Sequence, residues 1–334
     1  MAIVFSKNSG LNDDLWKVEA QVLQAVMNDT DTEKNDYDKF VTDVYNEKTS
    51  KKYAEKLGSV TSLGNFDIVD EGDKAPMDDI QAGQSKLIVH NTFSKSFACT
   101  REMKDDGDVD VMKTMAANMV RSYKRTRAQF ASDALTTEAA TFSFSRKDID
   151  KTTGDGKALF ATDHAGVKDG VAAQSNVFTN AFGTDTTMLN RLANIGRNFR
   201  NQSGNIQGYT FDTIIIPSNV PALEDLIKRI IRSELIVGSS NNDVNTQKGL
   251  WKLVVDPMWQ VTSGAPYILM SSQANKELRG SMFYDRVPLD IANQVDIHTR
   301  NLEWNGYGRM SAGFNDWRHV ILGGASAGTT LSAT

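Results

Sequence analysis

Residues 108–135 read DVDVMKTMAANMVRSYKRTRAQFASDAL, with no glycine or proline among them. Met112, Met115, Met119, Tyr123, Phe130 and Ala134 recur at spacings that fall on one face of a helix. Asp105, Asp106, Asp108 and Asp110 crowd its start, where acidic groups suit the positive end of the helix dipole. Arg121, Lys124, Arg125 and Arg127 fill its second half. At 1.5 Å per residue, such a helix is a rod of roughly 40 Å. The usual globular helix has about 11–12 residues. A rod this long needs other long elements lying along it, and that requirement constrains the rest of the chain.

The chain has 334 residues, room for two or three domains. Its 40% hydrophobic and 24% charged residues suit a soluble globular protein rather than a disordered one. No apolar run approaches the roughly 20 residues that span a membrane, and MAIVFSKNSG lacks the charged and apolar regions of a secretory signal. Cys99 stands alone, which excludes an internal disulfide framework and makes a reducing compartment the expectation. A net charge of −5 argues against a dedicated nucleic-acid binder, yet suits a protein that encloses nucleic acid without gripping it. No repeat of solenoid period and no low-complexity tract is present.

Residues 11–57 read as polar helices, the first with a narrow stripe of Leu15, Val18, Val22, Ala25 and Val26. Phe40, Val41, Val44, Tyr45 and Tyr53 follow among many acids and lysines, too few to build a core alone. Across 58–100, Phe66 and Ile68 alternate with polar residues, and residues 70–84 read as an acidic loop. Leu87, Val89, Phe93, Phe97 and Cys99 then share one parity of an extended stretch. Together these predict a long two-stranded arm with a wide acidic tip, marginal alone and expected to rest on another chain.

Residues 136–185 read as loop around the anchor Ala158-Leu159-Phe160. From 186 a mixed α/β unit is predicted. Its first helix carries Met188, Leu189, Leu192, Ile195 and Phe199, and residues 211–217 form a buried strand. A second helix has Ser218 or Asn219 as its cap, Pro221 in its first turn and Leu223, Leu226, Ile227, Ile230 and Ile231 inward. Strands are predicted with Trp251, Leu253 and Val255 alternating, and over 267–270. Residues 281–324 read as long extended segments, and the tail beyond is small and polar.

Motifs for chemistry are sparse. Gly154-Asp155-Gly156-Lys157 ends like a P-loop, but Lys151 stands where the first glycine belongs and Ala158 where Ser or Thr would hold magnesium. Residues 70–79 and 105–110 are acid-rich without the spacing of a calcium loop. Among His90, His164, His298 and His319 no two stand at ligand spacing, and Asp163-His164 is the one His–carboxylate neighbour pair. Adjacent side chains point apart, so that pair does not orient an imidazole, and a hydrolase using His164 lacks a recognisable nucleophile or metal. Cys99, on the apolar parity of its strand, reads as a buried small hydrophobe. The basic run 121–127 could meet phosphate, but its place on an amphipathic helix points to a solvated or inter-subunit face. No catalytic, cofactor-binding or metal-ligating residue is therefore assigned, and no enzymatic activity or cofactor is expected.

The order of parts, the arm at 58–100 leading into the long helix, the segment GKALFATDHAG and the closing EWNGYGRMSAGFNDWRHVILGG carry a resemblance. Over residues 11–324 the chain resembles the Hong Kong 97-type major capsid proteins of tailed bacteriophages, with GKALFATDHAG most similar to the Mu-like branch. The resemblance implies an α+β fold with these parts: an N-terminal arm at 1–57, an extended β-hairpin loop at 58–100 and a peripheral domain at 101–185 around the spine helix. An axial domain at 186–285, returning strands at 286–324 and a flexible tail at 325–334 complete it. It also implies a virion shell of pentamers and hexamers around double-stranded DNA, assembled in the host bacterial cytoplasm. Portal, scaffolding and decoration proteins would be partners, and no membrane is involved. With about 57 residues before the arm, a separate scaffolding protein is expected. Some relatives form a Lys–Asn cross-link near the extended loop. Lys86 and Lys95 lie there, but no matching Asn or catalytic Glu is identified, so the cross-link is not carried over. Glycines at 58–64 and 306–313 are candidate hinges. A bacterial nanocompartment shell of the same fold and a soluble hydrolase using the His164 loop are the alternatives.

Overall fold

The structure, a computed structural model, describes residues 4–5, 16–33, 35–60, 63, 65–77, 82–166, 171–183, 186–236 and 243–331. In chain order the elements begin with β1 (Val4–Phe5), α1 (Lys17–Thr32), α2 (Asp36–Val44), β2 (Asn46–Thr49), β3 (Ala54–Val60), β4 (Ala82–Val89) and β5 (Asn91–Cys99). Then come α3 (Arg101–Asp105), α4 (Val109–Thr136), β6 (Thr141–Phe144), β7 (Lys147–Asp150), α5 (Thr187–Arg197), β8 (Thr213–Pro217) and α6 (Pro221–Arg232). The last are β9 (Lys252–Asp256), β10 (Tyr267–Met270), α7 (Ser272–Glu277), β11 (Ser281–Val295), β12 (Leu302–Phe314) and β13 (Val320–Gly323). The chain divides into two compact units.

The first unit comprises Met1–Glu55, Ile88–Ala131 and Phe283–Ala312. Its sheet runs β1-β11-β12-β5, with β2 also paired to β11. β12 and β5 are antiparallel from Leu302 opposite Cys99 to Met310 opposite Asn91. The long helix α4 and α1 bury their apolar faces in one core with this sheet. Met112, Ala116 and Val120 of α4 and Trp16, Ala20, Leu23 and Met27 at α1 join Leu289, Ile291, Leu302 and Trp304. Each fully buried large aliphatic side chain contributes roughly 1.5–3 kcal/mol. The rod predicted at 108–135 is thus present, and long strands lie along it.

Three expectations in this unit are corrected. The buried face of α1 is Trp16, Ala20, Leu23, Met27 and Thr30, while Val18 is 68% exposed and Ala25 faces solvent; Leu15 lies outside the described residues. Trp16 and Leu23 outweigh the valines in apolar area, and their spacing of seven sets the true face. The stretch 87–99 does not keep one parity. Ile88, His90 and Asn91 are buried and Leu87 is exposed, so the buried side switches between His90 and Asn91. The chain breaks there into two strands, because β4 pairs with β3 and β5 with β12. Gly306 and Gly308 are interior to β12 and serve close packing. A Cβ at Gly306 would meet Met119 Cε at 2.4 Å.

The second unit comprises Lys56–Leu87, Ser132–Met282 and Gly313–Thr334. Its four-stranded sheet runs β13-β10-β8-β9. β8 and β9 are parallel with α6 between them, whereas β10 is antiparallel to β8 and β13. All of β8, β10 and β13 is buried, as their unbroken apolar runs require. Leu223, Ile227 and Ile230 are the buried face of α6. Pro221 does open α6, but its cap is Val220 without a side-chain bond. Ser218 and Asn219 instead donate to the carbonyls of Trp259 and Val261. Within 136–185, read as loop, β6 and β7 form a short hairpin. In the arm, Phe66 and Ile68 are coil and fully exposed rather than strand; residues 61–62, 64 and 78–81 lie outside the described residues.

Candidate assembly surfaces

The basic half of α4 splits by face. Arg121 and Arg125 are exposed, whereas Lys124 and Arg127 are buried, which corrects the expectation of a solvated basic face. Residues 120, 124, 127, 128 and 131 share the inward stripe that the helical period dictates. Lys124 Nζ donates to the carbonyls of Thr30, Asp31 and Glu33 at 3.3, 2.6 and 2.9 Å. It thereby satisfies the orphan carbonyls at the end of α1. Arg127 Nη2 reaches Glu47 Oε2 at 2.8 Å and Asp285 Oδ2 at 3.1 Å, and its guanidinium lies 4.6 Å from the Phe283 ring centroid. Burial works against this cation, but Asp285 and Glu47 outweigh it and raise its pKa. Burial pushes the Asp285 carboxyl up, with Arg127 opposing.

Two grooves open on this first unit. One, of about 770 Å³, has Phe97, Met115 and Met119 among its lining and Lys95, Arg121 and Arg125 as its cations. Phe97 is held by a parallel stack on Trp304, with centroids 6.3 Å apart. The other, of about 1380 Å³, is lined by acids including Asp31, Asp36, Asp38, Asp43 and Glu47, with Lys39, Lys51, Arg127 and Arg286 among them. In the second unit, the described arm tip, residues 65–77, is exposed throughout.

The residues weighed for chemistry fall into structural roles. His164 is fully buried, its Nδ1 2.6 Å from Asp155 Oδ2 and its ring stacked on Trp317 at 4.3 Å. Its carboxylate partner is thus Asp155, nine residues upstream, and Asp163 pairs with Lys157 instead. Burial works to raise Asp155, but hydrogen bonds from His164 and Thr153 hold its carboxyl below the usual value. The GDGK turn therefore orients a histidine within the fold. Cys99 is buried, and burial pushes its thiol up to about 11. Lys86 is buried with its Nζ at 2.5 Å from Asp150 Oδ2, while Lys95 is exposed. His90 sits between the hydroxyls of Ser311 and Ser50 at 2.8 and 3.1 Å, and His319 between Ser281 Oγ and the Asp316 carbonyl at 2.7 and 2.8 Å. The carboxylate of His164 could not be found from adjacency, and the burial of Lys124 could be found only from its position on the apolar stripe.

Among the described residues, no group of three or more His, Cys, Asp or Glu side chains could hold a metal ion, and no helix is long and apolar enough to cross a membrane. What the first unit offers is a helix-on-sheet core bearing two grooves, one with cations in excess and one with acids in excess.

A family profile described as phage capsid protein matches residues 83–322. No curated protein matches the chain. Among solved structures, the capsid of a native GTA particle is similar at 11% identity and TM-score 0.54, over 87% of this chain and 91% of that one. The capsid of Myoviridae phage XM1 is similar at 11% identity and TM-score 0.51, over 84% and 88%. Microbacterium phage Oxtober96 gives 8% identity and TM-score 0.51, over 84% and 89%. At these identities the likeness is one of fold.

Proposed function

The chain belongs to the phage capsid protein family, and from that membership we infer that it is a major capsid protein, the tile of a tailed-phage head shell. The observation that carries this reading is the family match over residues 83–322, which takes in the whole of α4, β11 and β12. The fold is the α+β Hong Kong 97-type capsid fold. The protein is structural rather than enzymatic, and the burial of His164 in an internal pair with Asp155 agrees with that. The family match favours a phage head over a cargo-enclosing nanocompartment.

In this reading copies of the chain associate into pentamers and hexamers, and many extended contacts per copy add through multivalency. Helix α4 is the spine of the peripheral domain, β11 and β12 are its returning strands, the arm around β3 and β4 is the extended loop, and residues 186–285 are the axial domain. The enclosed polymer is double-stranded DNA. A subunit of net charge −5 is suited to contain it without holding it. A scaffolding protein and a portal complete the assembly in the host cytoplasm. The Leu159-Phe160 to His164 segment is the ground for placing the chain nearest the Mu-like branch.

Negative-stain electron microscopy of the purified protein, alone and co-expressed with the neighbouring head genes, tests the reading. Closed shells, tubes or rings of five and six are expected. A protein that stays monomeric in every one of these preparations overturns it.

A further inference from the structure

We propose that His90 is a proton-operated clasp at the root of the arm, closed by its neutral imidazole and opened when that imidazole gains a proton. The clasp lies outside the shell reading and does not depend on it. His90 stands between β4 and β5, where the buried side of the chain switches. Its Nε2 lies 3.1 Å from the hydroxyl of Ser50, in the link between β2 and β3, and its Nδ1 lies 2.8 Å from the hydroxyl of Ser311 on β12. One ring thus ties both roots of the arm to β12. Ser50, Glu55, His90 and Ser311 all belong to the first unit, and the chain enters the second unit after Glu55 and returns before Ile88.

The hydrogens of this site can be counted. Ser50 donates its one hydrogen to Glu55 Oε1 at 2.7 Å. Its two lone pairs then accept from the Lys52 amide at 3.2 Å and from His90 Nε2. A neutral ring that donates from Nε2 carries its lone pair on Nδ1, so Ser311 donates there. The relay runs from Ser311 to His90 to Ser50 to Glu55. A second ring proton goes to Nδ1 and sets two donors face to face. Ser311 must then turn its hydrogen away, and at 1% exposed it has no solvent to donate to. The surroundings oppose the cation as well. Burial disfavours it most, Arg286 and Arg309 repel it, and Glu55 attracts it. The Ser50 hydroxyl and then Lys52 hold Glu55 below its ordinary value, so it stays a carboxylate while the ring titrates. The Tyr284 ring packs edge-on, its centroid 6.1 Å from that of His90. The closed site therefore takes a proton less readily than a free histidine, whose value is near 6.5. Closure is fully stabilised above 6.5 and weakens as pH falls toward the closed-site value. Within that window the open fraction grows by up to about tenfold per pH unit.

Amide hydrogen exchange of the unassembled full chain, read by mass spectrometry and corrected for the intrinsic pH dependence of exchange, tests the clasp. Between pH 7.5 and 5 the amides of residues 50–52 and 88–92 should lose protection with that slope, while those of residues 112–120 in α4 keep theirs. In His90→Gln the loss with pH should disappear, whatever the absolute stability of the variant. A wild-type chain that shows no such loss, or a variant with the same slope, overturns the proposal. Nitrogen-15 NMR of the imidazoles is the second measurement. Val89-His90 is the one Val–His pair in the chain, so paired labelling identifies the residue without a variant. A protonated Nε2 and a bare Nδ1 at pH 7.5, with a titration midpoint below 6.5 that coincides with the loss of protection, support the clasp. The opposite tautomer, or a midpoint apart from the loss of protection, overturns it. Both measurements on wild-type protein stand even where His90→Gln fails to fold.

Discussion

Gly308 of β12 faces the ring of Tyr123 on α4, and a Cβ built on the glycine would lie 2.8 Å from both the ring Cε2 and the hydroxyl oxygen. Strand and helix approach this closely only because one side chain is missing. Gly308→Ala should therefore cost roughly 1–3 kcal/mol, the range for overpacking a filled core. In a Tyr123→Ala background most of that cost should vanish. Urea unfolding of the unassembled chain across this double-mutant cycle measures the coupling, and strictly additive losses would refute the packing argument.

Arg127 is the buried centre of a charge group with Glu47 and Asp285. Arg127→Ala leaves behind the carboxylates of Glu47, Asp285 and, at 3.8 Å, Asp38, and should cost about 3–5 kcal/mol. Arg127→Lys should recover only part of the loss, because a single ammonium cannot reproduce a planar fork that also stacks on Phe283. Equal stability of the lysine variant and the wild type would count against this account.

Cys99 lies opposite Leu302 in the sheet with no exposed surface, and burial raises its thiol to about 11. A thiol reagent at pH 7–8 should leave the folded chain unmodified and label it fully in denaturant, because the thiolate is the reactive form. Labelling of native protein at the rate of a free peptide thiol would contradict the assigned burial.

Two buried groups set opposite pH trends in the second unit. Burial depresses the His319 imidazole to about 4, so the folded state keeps it neutral. An unfolded histidine near 6.5 binds its proton first. Stability from this group is present above 6.5 and is lost as pH falls toward 4. Asp256 is raised by burial to about 6, above its unfolded 3.8, so its contribution grows as pH falls through the window from 6 to 3.8. His319→Gln should remove the first trend only. Melting temperatures at pH 7, 5.5 and 4.5 should then fall less steeply in the variant than in the wild type. Parallel curves would show that His319 does not carry the acid sensitivity.

The long helix was legible because an apolar period near 3.6 over 28 residues has no competing explanation. The strands β8 and β10 were legible because unbroken apolar runs of that length bury on both faces. The burial of Lys124 and Arg127 is not legible in the sequence for one reason: a cation reads as solvated until the carboxylates and carbonyls that compensate it are in place. Those groups come from residues 30–47 and from Asp285, far away in sequence. His164 hid its partner likewise, since the turn that brings Asp155 to it is not a helical or strand spacing. The grooves are assembled from three or more separate segments, so no local pattern could outline them.

What the sequence alone determined is the set of long elements, the α+β class, the solitary buried thiol, the acidic tip and the resemblance to a family of shell proteins. These follow from periodicity, composition and order, which are properties of a chain before it folds. The tertiary structure decided where the buried side of the arm switches at His90 and Asn91, which cations of α4 face inward, and that Gly308 is a contact rather than a hinge. Each of these depends on which distant segment supplies the opposing atoms. That supply is set by the packing of the sheet against α1 and α4, and by no stretch of sequence taken alone.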